Sequence, residues 1–421
     1  MPQTSTQAKL PRDDQVPKRD SMNQRDIDIA ILGGGLAGGL IALALAKLKP
    51  DLKLLLVEQG ERFGGNHVWS FFTSDIAPEQ EWLVEPLIVA RWDGYDVHFP
   101  AHSRSLATPY RSATGEKLDA ALRAALPADA LLTRASVTKA THNSVTMADG
   151  SSFQTGAVID ARGTAEMAHM AGGWQKFAGQ ILRLEQPHGL SRPVVMDARV
   201  DQIDGYRFIY CLPFSERDVL VEDTYYADGP GLDLPALRRR IAAYAEAQGW
   251  QVSKVLREET GVLPVIADGD FAAFWPGAGS GPARAGSRAA LIHPLTSYSL
   301  PDAVRFACHI CSLPDLSGAA LAKASYAWAE ASWRQGSFYR MLTKMLFGAA
   351  APQQRYKLLE RFYRLPEGLI ERFYSGNSTT ADKLRVLAGK PPVPLAAAAA
   401  SLLGKGRPLA PLSDNRAGNT A

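Results

Sequence analysis

The segment that most constrains this chain lies near its start. IDIAIL at 27–32 is a short apolar run with β-branched residues, and GGGLAG follows at once. Then LIALALAKLK reads as a helix, and KLLLVE at 53–58 as a second strand that ends in an acid. Gly33, Gly35 and Gly38 form G-x-G-x-x-G, with Gly34, Leu36 and Ala37 completing the turn. The first glycine permits a tight turn, the second lets a pyrophosphate approach the backbone, and the third lets helix and strand pack closely. The helix N-terminus then offers unpaired N–H groups to phosphate oxygens. Glu58, at the end of the second strand, is placed to accept hydrogen bonds from ribose hydroxyls. Glycine-rich turns alone are common. In this strand–turn–helix–strand context the motif predicts a dinucleotide site, without separating FAD from NAD.

The rest of the chain sets the frame. With 421 residues it exceeds what one core usually serves, so two or three lobes are expected. A net charge of +3 gives no reason to expect a nucleic-acid partner. Three cysteines, Cys211, Cys308 and Cys311, are too few for a disulfide scaffold and fit a reducing compartment. Cys308 and Cys311 form C-x-x-C within a helical pattern; no second pair completes a zinc site, and no metal is expected. Residues 1–25 are polar and read as a disordered tail, not a signal peptide. LAGGLIALALAKL comes nearest to a membrane span and is too short for one.

A change of texture divides the chain. A discontinuous cofactor-binding domain is expected over 26–84, 108–165 and 284–325. RPVVMDARV, YRFIYCLPF and DVLVEDTYY carry strand patterns, and an antiparallel substrate domain is expected over 85–107 and 166–283. A helical lobe follows over 326–404, then a frayed tail over 405–421. The fold class is mixed α/β.

One strand poses a chemical question. In VLVEDTYY, at 219–226, apolar residues run into Glu222 and Asp223, where ionised carboxylates are costly to bury. Either the strand ends at the surface, or an acid is held in an apolar pocket to move a proton. Neighbouring strand residues point to opposite faces, so only one of the two can readily face such a pocket. A second acidic string, LREETGVLPV, holds Glu258 and Glu259; it reads as mainly structural, with Arg257 as a partner and Glu259 able to approach the site. Trp69, Phe71, Phe72, Tyr225 and Tyr298 are cation–π candidates, though core packing is the commoner use of such residues. Residues 333–373 mix aromatic and basic side chains, which suits either an interfacial face or the lobe's own core.

Five stretches carry a family resemblance: QGERFGGNHVWSFF, VEDTYY, IHPLTSYSLPDAV, FYRLPEGLIERFYSGNSTTADKLRVLAGKPPVP and the glycine-rich start. Together, over about 26–400, the chain resembles the bacterial lycopene β-cyclases. The resemblance implies a glutathione-reductase-like FAD-binding Rossmann architecture. It implies lycopene and related acyclic carotenoids as substrates, cyclised through γ-carotene to β-carotene. It also implies FAD in its reduced form, NAD(P)H as electron source, and no net redox change. Glu222 becomes the catalytic residue, either as the acid or as a charge stabiliser beside a reduced flavin that delivers the proton itself, and Asp223 structural. Asp160 and Gly163, in a turn similar to the later one of FAD-containing Rossmann proteins, would lie near the cofactor. Arg62 would meet the pyrophosphate, and His293, Pro294 and Tyr298 would lie beside the flavin ring. Leu295 and Ser297 depart from the family's HPTTGYS. An insoluble polyene substrate implies a cytoplasmic protein on the inner face of the membrane. A monooxygenase or prenyl-chain reductase on the same fold, or a non-catalytic isoprenoid-binding protein, are the competing readings.

Overall fold

A computed structural model describes residues 26–164, 167–389, 394–404 and 406–411. The tail expected at 1–25 lies outside them, as do 412–421.

The opening motif builds a parallel sheet of five strands. Their order is Ala283–Arg284, Ala157–Asp160, Ile29–Leu32, Leu54–Val57 and Leu131–Leu132. The three central strands are buried at every residue, as a sheet covered on both faces requires. On one face lies the helix Leu36–Leu48, itself covered by the helices Gly115–Ala125 and Leu300–Ser312. That double cover explains its near-continuous apolar sequence. The other face is closed by the small antiparallel sheet Val137–Ala140, Ser144–Met147 and Ser152–Gln154.

The second body is a seven-stranded sheet. Its order is Val252–Gly269, Met170–Leu184, Asp218–Ala227, Tyr206–Pro213, Val194–Asp197, Tyr95–Phe99 and His102–Leu106. All its pairings are antiparallel except Val194–Asp197 with Tyr95–Phe99. The helix Leu234–Ala247 packs its Leu237, Ile241 and Ala245 on one face. The opposite face looks toward a three-stranded sheet, Val68–Phe72, Tyr110–Thr114 and Ile88–Trp92, and toward the helical lobe.

The expected boundaries cut two elements. Ile88–Trp92 pairs with Tyr110–Thr114, so a division at 107/108 splits one sheet. The helix Gly318–Gln335 runs through 325/326. Part of the expected C-terminal tail is docked, not frayed. The Gly172 N–H donates to the Arg407 carbonyl at 2.8 Å, the Leu409 N–H donates to the Met170 carbonyl at 2.9 Å, and Leu409 is buried. Backbone bonding to a strand edge offsets the entropy this polar stretch loses. Among the described residues, no helix is long and apolar enough to cross a membrane.

Candidate active site

The glycine turn has the shape a dinucleotide needs. Gly33 has φ +94°, and a Cβ there would lie 2.6 Å from the Ala161 carbonyl oxygen. A Cβ on Gly38 would lie 2.0 Å from the Gly33 oxygen, so helix and turn touch through backbone alone. A Cβ on Gly35 would meet nothing within 4 Å, which leaves room on the ligand side. Gly35 also begins the helix without a side-chain cap, and no acid occupies the first turn. The helix therefore presents unpaired N–H groups and the positive end of its dipole. Glu58 is braced there: its two oxygens accept from the N–H groups of Gly34 and Gly60, each at 2.8 Å. Ala37 and Gly286 nearly touch, bringing the 283–289 segment against the turn, while Leu36 is buried in the core.

One expected cofactor contact has another duty. Asp160 is buried and bound by Arg162 and Arg288, at 2.8 and 2.7 Å. Burial opposes its ionisation, but the Arg162 hydrogen bonds and both guanidinium charges outweigh that and hold its pKa low. Its side chain ties two loops of the cradle together. Arg62 is exposed beside the turn.

The large sheet holds the acids. Cross-strand register places Glu222 opposite Gly179, and Gly179 opposite Glu259 on its other side; Tyr210 is opposite Glu222 on the outer strand. All four therefore share one face. Asp223 points to the other face, fully buried, where Arg207 grips it at 2.7 Å through paired hydrogen bonds. Glu222 has no such partner among the described residues. The Thr224 hydroxyl donates to its Oε1 at 2.5 Å. Burial pushes its carboxyl up to about 7, against the Thr224 hydrogen bond, with the Asp223 charge adding. Glu222, Tyr210 and Tyr298 are each surrounded by protein yet keep partial accessibility, so they line an internal cavity.

Glu259 is the member of the second acidic pair that enters the site. Its Oε2 accepts from the Val68 N–H at 2.9 Å and lies 3.9 Å from His67 Nδ1. Burial, and then the charge of Glu222, push its carboxyl up to about 8, against the Val68 bond and the Arg257 charge. Burial and the Arg257 charge lower the pKa of His67. Arg257 pairs with Glu116 at 3.2 Å, and Arg238 takes Glu258, so the arginine expected beside the acid pair is ion-paired with the first turn of the helix Gly115–Ala125. The GGNH turn makes the contact with Glu259 possible. Gly64 has φ +74° and sits against the Gly115 backbone, and Asn66 Nδ2 donates to the Glu258 carbonyl at 3.0 Å.

Tyrosines close the cavity. The Tyr110 hydroxyl is 2.8 Å from that of Tyr210 and 3.2 Å from that of Tyr298. Trp92 and Phe214 extend this wall, with ring centroids 6.2 Å apart. Of the aromatic candidates, Tyr298 lines the cavity. Trp69 and Phe71 face the core of the parallel sheet, and Phe72 is buried between Tyr95, Tyr110 and Tyr374. Tyr225 lies on the Asp223 face under Lys176 and Arg240.

The loop before the helix Leu300–Ser312 is held from behind. His293 is buried among Tyr339 and Phe373, and its pKa falls to about 4 through burial. Nε2 donates to the Phe373 carbonyl, and Nδ1 accepts from the N–H groups of Leu295 and Thr296. Both ring nitrogens are thus used to shape the loop. The Pro294 carbonyl accepts from the Ile266 N–H. Ser297 sits at φ +56°, the left-handed region, and its hydroxyl donates to the Pro264 carbonyl at 2.8 Å. The position favours glycine, and the serine is held there by that bond.

Comparison with known proteins decides the family. The profile described as lycopene cyclase protein matches residues 28–400. The chain belongs to the lycopene cyclase family. It is 47% identical over 368 residues to the lycopene beta-cyclase of Pseudescherichia vulneris, covering 87% of this chain and 95% of that protein. With the lycopene beta-cyclase of Pantoea ananas it shares 42% identity over 380 residues, covering 90% and 99%. Identity to the chloroplastic lycopene beta cyclase of Arabidopsis thaliana is 24%, covering 68% and 60%. Among solved structures, the fold is similar to a geranylgeranyl bacteriochlorophyll reductase-like protein from Thermoplasma acidophilum. The TM-score is 0.54 at 13% identity, covering 87% and 97%. A probable FAD-dependent monooxygenase from Pseudomonas aeruginosa gives a TM-score of 0.53 at 16% identity, covering 80% and 100%. These likenesses establish the α/β architecture of FAD-dependent Rossmann-type proteins for this member of the cyclase family. Its sequence motifs do not mark Tyr110, Tyr210 or Gly179, whose importance comes from cross-strand register between distant segments.

Proposed function

We propose that the protein closes the acyclic ends of lycopene into β-ionone rings, by proton-initiated cation chemistry with no net redox change. FAD would lie along the glycine turn, held by Gly33, Gly34, Gly35 and Glu58 and by the loop from Pro294 to Tyr298. When bound and reduced, with NAD(P)H as the electron source, it would supply an electron-rich surface near the reacting alkene. The remaining work falls to this chain. Glu222, protonated, donates to the terminal double bond. The neighbouring double bond then closes the ring, and a ring carbon loses a proton. The Tyr110–Tyr210–Tyr298 wall keeps water from the cation and presents π-faces to it. The observation that carries this reading is one buried carboxyl, Glu222, kept near neutrality without a cationic partner and facing an aromatic cavity.

A long hydrocarbon also needs room for its tail. An apolar pocket of about 130 Å³ lies between the helical lobe and the large sheet, lined by Tyr206, Tyr226, Leu342, Leu346 and Phe362. Tyr206 and Tyr226 are on the Glu222 face, four residues along each strand, or about 13 Å away at strand rise. Leu384 and Leu387 on the helix Thr380–Leu387 are exposed beside this pocket, with Lys383 and Arg385 on either side of Leu384. That mix supports a peripheral position on the cytoplasmic face of a membrane, from which the polyene is taken.

Expression in a lycopene-accumulating bacterium, with the extracted pigments analysed for rings, tests the reading. γ-Carotene and β-carotene are expected. Unchanged lycopene, or an oxygenated or hydrogenated product in their place, would count against it.

A further inference from the structure

Cyclisation to a β-ring needs a base as well as an acid, and the sheet supplies a second carboxyl in the right place. Glu222 and Glu259 are on strands that flank the same neighbour, and the residue between them is Gly179. At ordinary strand spacing their Cα atoms are about 10 Å apart. The side chains close much of that gap. A Cβ on Gly179 would lie only 3.3 Å from Glu222 Oε2, so the Glu222 carboxyl leans over the glycine toward Glu259. No side chain stands between the two acids at that position.

The surroundings distinguish the two. Glu222 is on the tyrosine side, next to Tyr210 and within the electrostatic reach of Tyr298. Glu259 is on the GGNH side, where burial first, and then the charges of Glu222 and Glu116, raise its carboxyl, against the Val68 N–H and the field of Arg257. His67, its pKa lowered by burial and the Arg257 charge, lies 3.9 Å from Glu259. Facing Glu222 are the Thr224 hydroxyl and, through the sheet, the charge of Asp223. Two carboxyls that sense each other resist joint ionisation.

We propose that Glu259 is the second catalytic carboxyl of this site, taking the proton that the ring cation loses, while Glu222 gives the proton that starts the reaction. This rests on the cyclase reading above. The atoms balance. The Glu222 O–H bond breaks, and a C–H bond forms at the terminal alkene from its π pair. The π pair of the next alkene forms the ring C–C bond and leaves a tertiary ring cation. The C–H bond on the ring carbon that adjoins the polyene breaks, and its electron pair becomes the ring double bond, conjugated with the chain. That proton goes to the Glu259 carboxylate and returns across Gly179 to Glu222. No electron leaves the substrate.

The test uses purified flavin-loaded protein, lycopene in detergent micelles and anaerobic reducing conditions. Glu259→Gln should lower ring formation about hundredfold. The rings that still form should include isomers with the double bond out of conjugation, or tertiary alcohols from water capture. Glu259→Asp should restore part of the rate and the β-ring product. The wild-type pH profile of kcat/KM should be bell-shaped, and Glu259→Gln should lose one limb. A Glu259→Gln enzyme within twofold of wild type, making only β-rings with both limbs intact, overturns the proposal. If Glu259→Gln fails to fold or to hold flavin, Gly179→Ala decides. It keeps both acids and wedges a methyl group beside the Glu222 carboxyl, and should cost about tenfold or more; an unchanged rate there overturns the proposal. Wild-type protein that forms no rings removes the cyclase reading itself. An active wild type with inactive Glu222→Gln and normal Glu259→Gln removes this inference alone.

Discussion

The two faces of the seven-stranded sheet treat carboxylates differently. On the face under the helix Leu234–Ala247, three buried or half-buried acids are each matched with an arginine. Asp223 pairs with Arg207 and Asp197 with Arg199, both at 2.7 Å, and Glu258 pairs with Arg238 at 2.5 Å. On the cavity face Glu222 and Glu259 have neither arginine nor lysine within ion-pair distance among the described residues. Glu222 and Asp223 are adjacent in sequence and share the same strand, so local structure does not account for the contrast. A structural acid is compensated because an unpaired buried charge is costly. An acid left uncompensated has its protonated form favoured, which lets it take part in proton transfer.

Swapping one acid at a time on each face should separate rate from stability. Glu222→Gln should reduce ring formation by about 10²–10⁴-fold, the span typical of a lost general acid. Flavin binding and the unfolding midpoint should hold, because the amide keeps the shape of the protonated carboxyl and leaves no buried arginine without a partner. A strongly lowered midpoint would make Glu222 a structural acid like its neighbour. Asp223→Asn should do the reverse. It leaves the Arg207 guanidinium buried without its carboxylate and should cost about 3–5 kcal/mol in denaturant unfolding, while the protein that stays folded remains active.

Stability against pH sharpens the same contrast. Folding raises the pKa of Glu222 from 4.5 to about 7 and that of Glu259 from 4.5 to about 8, through burial first. A raised folded pKa means the folded state holds the proton more tightly. That stabilisation is complete below about pH 4.5 and is lost as pH rises through 7–8. The cavity-face acids should therefore give wild-type protein a stability component that falls over this window, and Glu222→Gln should flatten it. Asp197, paired with Arg199, has a lowered pKa and acts in the opposite direction. Its contribution is present above its unfolded value and is lost only in acid. The smallest effect is expected at Ser297→Gly. Relief of a left-handed backbone, about 1 kcal/mol, is offset by the lost bond to Pro264, also about 1 kcal/mol. The unfolding midpoint should stay nearly unchanged.

What the sequence discloses follows how local each feature is. The glycine turn and Glu58 are readable because a strand, a turn and a helix of fixed spacing specify them. The split between Glu222 and Asp223 is readable in outline because a strand alternates. The meeting of Glu222 with Glu259 is not, since it depends on which strand pairs with the long Met170–Leu184 strand on each side, and in what register. The tyrosine wall likewise joins three distant segments. His293 and Asp160 resemble cofactor contacts in sequence, yet their polar atoms are spent on backbone carbonyls, N–H groups and arginines that hold loops in place.

Infrared spectroscopy of the carboxyl C=O stretch, on purified protein titrated through neutral pH, tests most directly the idea that Glu222 is kept protonated by its surroundings. A protonated-carboxyl band persisting near pH 7 in wild type, and diminished in Glu222→Gln but not in Asp223→Asn, is the expected result. Full loss of that band by about pH 5 in wild type would show an ordinary ionised carboxylate at position 222 and contradict the account.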